Sequence, residues 1–147
     1  MHAIVKSFRE LTTEELYQLL ALRSEVFVVE QDCAYQDVDG KDQEALHLML
    51  FDETVLIAYA RIFPAGAYFD KASAGRVVVK SSHRGKKLGV ELMKAVINTV
   101  KDRYNTSEIS LSAQTYLKKF YMDLGFEAVG EEYLEDGIPH ILMEKLR

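Results

Sequence analysis

The stretch Val77-Val78-Val79-Lys80-Ser81-Ser82-His83-Arg84-Gly85-Lys86-Lys87-Leu88-Gly89 narrows the architecture more than any other part of the chain. A β-branched run passes through a short polar turn into a helical pattern over residues 85–103, with Leu88, Leu92, Val96, Thr99 and Val100 on one face. A strand of this kind needs a sheet to enter, and the helix needs a face of that sheet to cover, so neither a helical bundle nor a β-sandwich fits. The segment also breaks a local rule. Arg84, Lys86 and Lys87 at a helix start oppose the helix dipole, each at a cost of a few tenths to about 1 kcal/mol. A bound anion reverses that sign, because free backbone N–H groups, the dipole and the cations converge on one place suited to a phosphate or pyrophosphate. Gly85 and Gly89 would let a ligand or a neighbouring strand approach closely. The plain alternative is three long side chains splayed into water. The spacing is neither a P-loop nor a dinucleotide fingerprint.

Around this segment the patterns alternate between strand and helix. Strands are expected over residues 2–9, 46–51, 55–63, 75–79, 109–113, 126–133 and 140–145. A first helix starts at Thr12, whose spacing to Glu15 is that of a capping box, and carries Leu16, Leu19, Leu20, Arg23 and Phe27 on one stripe. A last helix over 116–124 is stopped by Gly125. The order β-α-β-β-β-α-β-α-β-β implies a single α/β (α+β) domain over residues 1–147, a mixed sheet with helices packed on it. At 147 residues the chain is long enough for one well-buried core. One cysteine, Cys33, excludes an internal disulfide framework and, with no signal-peptide pattern at the start, suggests a cytoplasmic protein. No apolar run approaches the roughly 20 residues that span a bilayer. A net charge of −5 argues against a nucleic-acid partner while allowing a small basic site. No His, Cys or carboxylate spacing spells a metal site.

Arg84-Gly85-Lys86-Lys87-Leu88-Gly89 after a Val-rich strand resembles the acetyl-CoA motif of the GNAT acetyltransferases, with Lys87 where that motif's first Gly usually stands. Phe120-Tyr121-Met122-Asp123-Leu124-Gly125-Phe126 resembles the family's second signature. Val26-Phe27-Val28-Val29-Glu30-Gln31, Leu111-Ser112-Ala113-Gln114 and Tyr133-Leu134-Glu135-Asp136-Gly137-Ile138-Pro139-His140 look like signatures of the ElaA-type subgroup. The likeness spans essentially the whole chain, and it implies the GNAT fold with a mostly antiparallel sheet.

It also implies chemistry. Acetyl-CoA would be the cosubstrate, its pantetheine arm lying along Val77 and Val79 and its pyrophosphate held by Arg84, Gly85, Lys86, Lys87, Leu88 and Gly89. Gln114 would bond the pantetheine or fix Tyr121. A primary amine, on a small molecule or a peptide, would attack directly in a ternary complex, so Cys33 is read as an ordinary small residue. Tyr121 holds the family's position for the general acid; on helix spacing alone it reads equally as a core aromatic. For the general base Glu30 and His47 rank first, with His140 and Glu135 behind them, each balanced against a structural role. Arg76, a charge inside a strand, is either a substrate anchor or a solvent-facing edge residue. Lys118 and Lys119 are read as a solvated helix face. The acidic 30–44 loop hints at a cationic acceptor. A non-catalytic acyl-CoA-binding module is the alternative function, and a homodimer is an assembly that family habit suggests.

Overall fold

A computed structural model describes residues 1–147. Seven strands form one sheet in the order β1-β2-β3-β4-β5-β7-β6: β1 His2–Ser7, β2 Leu46–Asp52, β3 Val55–Phe63, β4 Ala72–Val79, β5 Ile109–Gln114, β6 Glu127–Glu135 and β7 Ile138–Lys145. All neighbours are antiparallel except β4 and β5, which the helix α2, Leu88–Tyr104, connects. Helices α1, Thr13–Arg23, and α3, Lys118–Met122, complete the fold. The mixed, mostly antiparallel sheet with helices on both faces is the expected one.

Alternation along the strands explains the two cores. Leu46 and Leu48 of β2 and Ala58, Ala60 and Ile62 of β3 face one way, and meet Leu92, Met93, Val96 and Val100 of α2 and Tyr121 of α3. Met49, Phe51, Leu56 and Tyr59 face the other way, and meet Leu19 and Leu22 of α1. The capping box of α1 is present: Thr12 Oγ1 accepts from Glu15 N, and Glu15 Oε1 accepts from Thr12 N. Gly125 stops the α3 segment at a φ of 96°. The Asp136-Gly137 turn has both φ values positive, as a tight two-residue hairpin demands. On β6, the outermost strand, two extra residues bulge between Val129 and Tyr133.

Several boundaries differ from the patterns. The fourth strand begins at Ala72 rather than at residue 75, because pairing of Ala72 and Ser73 with Ile109 and Ser110 recruits small residues of weak strand preference. The second helix begins at Leu88, since Lys87 adopts a left-handed conformation (φ 59°, ψ 22°). After α1 the chain continues over Ser24–Glu30 with wider, π-type turns, Gln31 N bonding to Val26 O and Cys33 N to Val28 O. The third helix is a short 3₁₀ turn, Thr115–Leu117, followed by α3.

A buried ionic network ties the 31–45 loop to the sheet. Arg23, wholly buried, binds Asp37 at 2.7 Å and Asp42 at 2.8 Å. Arg61 binds Asp42 at 3.0 Å and grips Asp39 with two bonds of 2.9 Å. Arg76 adds Asp37 at 2.8 Å. Three of the loop's four aspartates, Asp37, Asp39 and Asp42, are thus paired with the protein's own arginines. Burial pushes the carboxyls of Asp39 and Asp42 up, but hydrogen bonds and charge from Arg61 and Arg23 outweigh it; Asp39 is held at about 2 and Asp42 below its ordinary value.

Their contribution to stability is complete above the unfolded carboxylate value near 4. It drains as the pH falls toward about 2. Urea denaturation at pH 7 and at pH 3 checks this, with a lower midpoint expected in acid. Asp42→Asn, which leaves two buried guanidiniums short of a counter-ion, is expected to cost about 3–5 kcal/mol at pH 7 in the same measurement.

Candidate active site

The site begins where the parallel ladder stops. β4 and β5 pair only at Ala72–Ile109 and Ser73–Ser110, and then part. The cause lies in β4: between the pairs Arg61–Gly75 and Tyr59–Val78, β4 spends one residue more than β3. This is a bulge, with Arg76 at a φ of 48°. The bulge adds twist and carries the end of β4 away from β5, leaving one edge of β4 without a neighbour. Lys80 N bonds to Ile57 O, so Val79 occupies a non-hydrogen-bonded position opposite β3 and its own carbonyl turns into the gap.

Two cavities flank the gap. The larger, about 600 Å³, lies between β4, the start of α2 and α3, and is lined by Val77, Val79, Arg84, Gly85, Lys87, Leu88, Gly89, Tyr116 and Phe120. The smaller lies between β4, β5 and the β6–β7 turn, and is lined by Cys33, Tyr35, Gly75, Arg76, Ser112, Glu135, Asp136 and His140. Phe27, Gln31, Val77, Gln114, Leu117 and Tyr121 border both. The expected cofactor residues therefore gather in the larger cavity, with the exception of Lys86, which is exposed and lines neither.

At its floor, α2 starts without a side-chain cap, and its first intrahelical bond runs from Glu91 N to Lys87 O. The N–H groups of Leu88, Gly89 and Val90 thus have no partner within the helix. The three cations precede the first turn instead of occupying it. Lys87 supplies with a side chain the left-handed bend that a glycine makes without strain, at a cost of about 1–2 kcal/mol. Gly89 has a packing reason: a Cβ there would lie 3.3 Å from Phe120 Cζ. Arg84 Nε donates to Val79 O at 3.1 Å, while its Nη atoms grip the Glu30 carboxylate, one bond being 3.0 Å.

Tyr121 is buried, with its ring edge-on to Phe120 and Phe126. Its hydroxyl has no hydrogen-bond partner among the side chains around it, and the residue borders both cavities. Burial, helped by Tyr116, pushes the phenol well above its ordinary value, so it stays protonated at neutral pH. Gln114 bonds to Gln31 at 3.3 Å across the junction.

Neither of the two leading base candidates lines the smaller cavity. His47 alternates with Met49 and Phe51 toward the α1 core and is wholly buried. Its Nε2–H donates to Asp42 O at 2.8 Å, and its Nδ1 accepts from Tyr59 OH at 2.6 Å, so both nitrogens are spent. Burial also holds it below its ordinary value. It lines neither cavity. Glu30 lines the larger one, at the mouth, occupied by Arg84. Arg76 is neither a free anchor nor a solvent-facing edge: it is the bulge residue, paired with Asp37 and stacked over Tyr35. Lys118 and Lys119 are exposed, as expected of a solvated face. Cys33 sits half-buried in the smaller cavity, with Sγ 3.5 Å from Asp136 O. Periodicity places Phe27 on the apolar stripe of the first helix and gives Gln31 no role, because the π-type turns that aim both inward have no signature in it.

The profile of the acetyltransferase (GNAT) domain family matches residues 9–147. ElaA of Escherichia coli is 42% identical over 138 residues, covering 92% of this chain and 90% of that protein, and its crystal structure superposes with a TM-score of 0.91 over 98% of each chain. An acyl-CoA N-acyltransferase from Pseudomonas aeruginosa is 42% identical, with a TM-score of 0.92 over 99% of each chain. An aminoglycoside 6′-N-acetyltransferase complexed with coenzyme A shares the fold at 19% identity, with a TM-score of 0.71 over 97% of this chain and 96% of that one. No helix is long and apolar enough to cross a membrane. A match along nearly the whole length, in sequence and in backbone, leaves one assignment: this chain belongs to the GNAT acetyltransferases, in their ElaA-type subgroup.

Proposed function

We propose that the chain transfers an acetyl group from acetyl-CoA to a primary amine by direct attack. The observation that carries the reading is the parting of β4 from β5, which gathers an unpaired strand edge, an uncapped helix start and Tyr121 around one passage. Bound acetyl-CoA supplies an activated thioester. The open edge of β4 at Val77 and Val79 suits the amide-bearing pantetheine arm, which can bond to it as a strand would. Leu88, Gly89 and Val90 N–H groups, with Arg84 and Lys87 beside them, suit the pyrophosphate. Tyr121, protonated and partly desolvated at the junction, is placed to give its proton to the departing sulfur. The acceptor enters the smaller cavity. Because Lys87 adopts a left-handed bend that a glycine would make without strain, its presence does not favour a module without activity.

Glu30 has a part that its position suggests. Its carboxylate neutralises Arg84 beside the anion site, so an incoming pyrophosphate has to displace it. In calorimetric titration with acetyl-CoA, Arg84→Ala is expected to weaken binding about 10- to 100-fold. Glu30→Gln is expected to tighten it about 2- to 10-fold, the scale of one exposed ion pair. A Glu30 base would instead lose turnover at unchanged affinity.

Tyr121→Phe removes a hydroxyl that bonds nothing within the protein, so the unfolding temperature should hold. Thiol release with a panel of primary amines should fall about 10²- to 10⁴-fold. Unchanged turnover would take Tyr121 out of the mechanism. Lys87→Gly relieves the left-handed strain while loosening the unfolded chain, and a thermal melt is expected to show stability equal to the parent or up to about 1 kcal/mol higher.

A further inference from the structure

We propose that His140 is the base that takes the proton from the acceptor amine, with Glu135 as the residue that positions it; this rests on the transferase reading above. The smaller cavity holds few groups able to accept a proton. Arg76 is committed to Asp37, and the Tyr35 hydroxyl donates to the same carboxylate at 3.1 Å. Cys33 points its thiol at the Asp136 carbonyl. His140 is different. It is 7% exposed, lines the cavity, and lies opposite Gln114 in the β5–β7 register, beside the junction of the two cavities.

Its contacts determine which nitrogen can take a proton. Nδ1 is 2.7 Å from the Ile138 carbonyl, which only accepts, so Nδ1 carries a proton. Nε2 is left with its lone pair, and Glu135 Oε2 lies 3.4 Å from it, a contact that becomes attractive once Nε2 is protonated. The other Glu135 oxygen accepts from Ser112 Oγ at 3.2 Å, and Ser112 also bonds to the Tyr133 hydroxyl. Tyr133 in turn stacks on the His140 ring at 6.3 Å. The hairpin turn makes this set: Tyr133 pairs with His140 and Glu135 with Ile138, so Glu135 and His140 meet diagonally on one face. Glu135 thereby stabilises, by its charge beside the receiving nitrogen, the imidazolium that forms when Nε2 takes a proton.

The protons balance. An alkylammonium loses two N–H protons on becoming an amide. Nε2 of His140 takes the first and returns it to water, which exposes the amine lone pair for attack on the thioester carbonyl. As the carbon–sulfur bond breaks, Tyr121 gives its proton to the sulfur, and the second amine proton restores the phenol.

Two measurements test this. In ¹⁵N imidazole spectra of the whole protein, the neutral His140 ring should carry its proton on Nδ1 and His47 on Nε2, with the His140 signals identified by their loss in His140→Asn. Glu135→Gln should shift the His140 Nε2 signal and leave His47 unmoved. With acetyl-CoA and a panel containing benzylamine and spermidine (charged at neutral pH) and acetohydrazide (neutral), His140→Asn should lower kcat/KM for the charged amines about 10²- to 10³-fold and for the hydrazide less than about 10-fold. Glu135→Gln should lower kcat about 10-fold with little change in KM. Acetyl-CoA affinity equal to the parent's shows that both variants fold. A His140 proton on Nε2, or equal losses for charged and neutral amines, overturns the proposal, as does wild-type-like turnover in His140→Asn, and in each case the transferase reading stands. If the parent protein binds acetyl-CoA yet acetylates none of the panel, the transferase reading falls and the base with it.

Discussion

The parting of β4 from β5 is the feature on which the site depends. A strand edge within a sheet ordinarily spends its N–H and C=O groups on a neighbour, and leaving them open is costly unless something else bonds them. Here the bulge at Arg76 breaks the ladder after two pairs, and Arg84 bonds the freed Val79 carbonyl. The same bulge would be hard to hold without help, since Arg76 has a positive φ and a long side chain. The help comes from the loop network, in which Asp37 binds both Arg76 and Arg23. The buried ions therefore act on the site indirectly, by fixing the residue that opens it.

Much of this was legible in the chain itself, for reasons of range. The capping box at Thr12, the stop at Gly125 and the turn at Asp136-Gly137 are local, and each appears as read. Cations set against a helix dipole mark the anion-suited loop, although they stand before the helix and Lys86 lines neither cavity. What escaped depends on partners distant in sequence. Arg23 sat on an apolar stripe, and only its buried contacts with Asp37 and Asp42 explain a charge there. The face of His47 was readable, since residues 47, 49 and 51 alternate against 46, 48 and 50. Which face carried the cavity was not, because that depends on where the sheet splits. The left-handed Lys87 runs against the preference of its residue type, so propensity could not reveal it.

Electrostatics at the two ends of the passage differ in kind. At the larger cavity a half-exposed pair, Arg84 with Glu30, stands beside the uncapped start of α2, and such a pair exchanges partners at little cost. At the loop the pairs are buried, mutually bonded and shared between several arginines, so they are fixed. Charge that responds and charge that holds shape are thus kept apart, though both are built from arginine and carboxylate.

The two cavities share only a narrow set of bordering residues, and each has a wall of its own: α2 and α3 for one, the β6–β7 turn for the other. A passage of that shape has two doors. An occupant of either chamber does not stand in the other's doorway, so arrival and departure at one end are uncoupled sterically from those at the other. Traffic then has no compulsory sequence imposed by the walls, and any order in which the reactants bind must come from affinity rather than from obstruction.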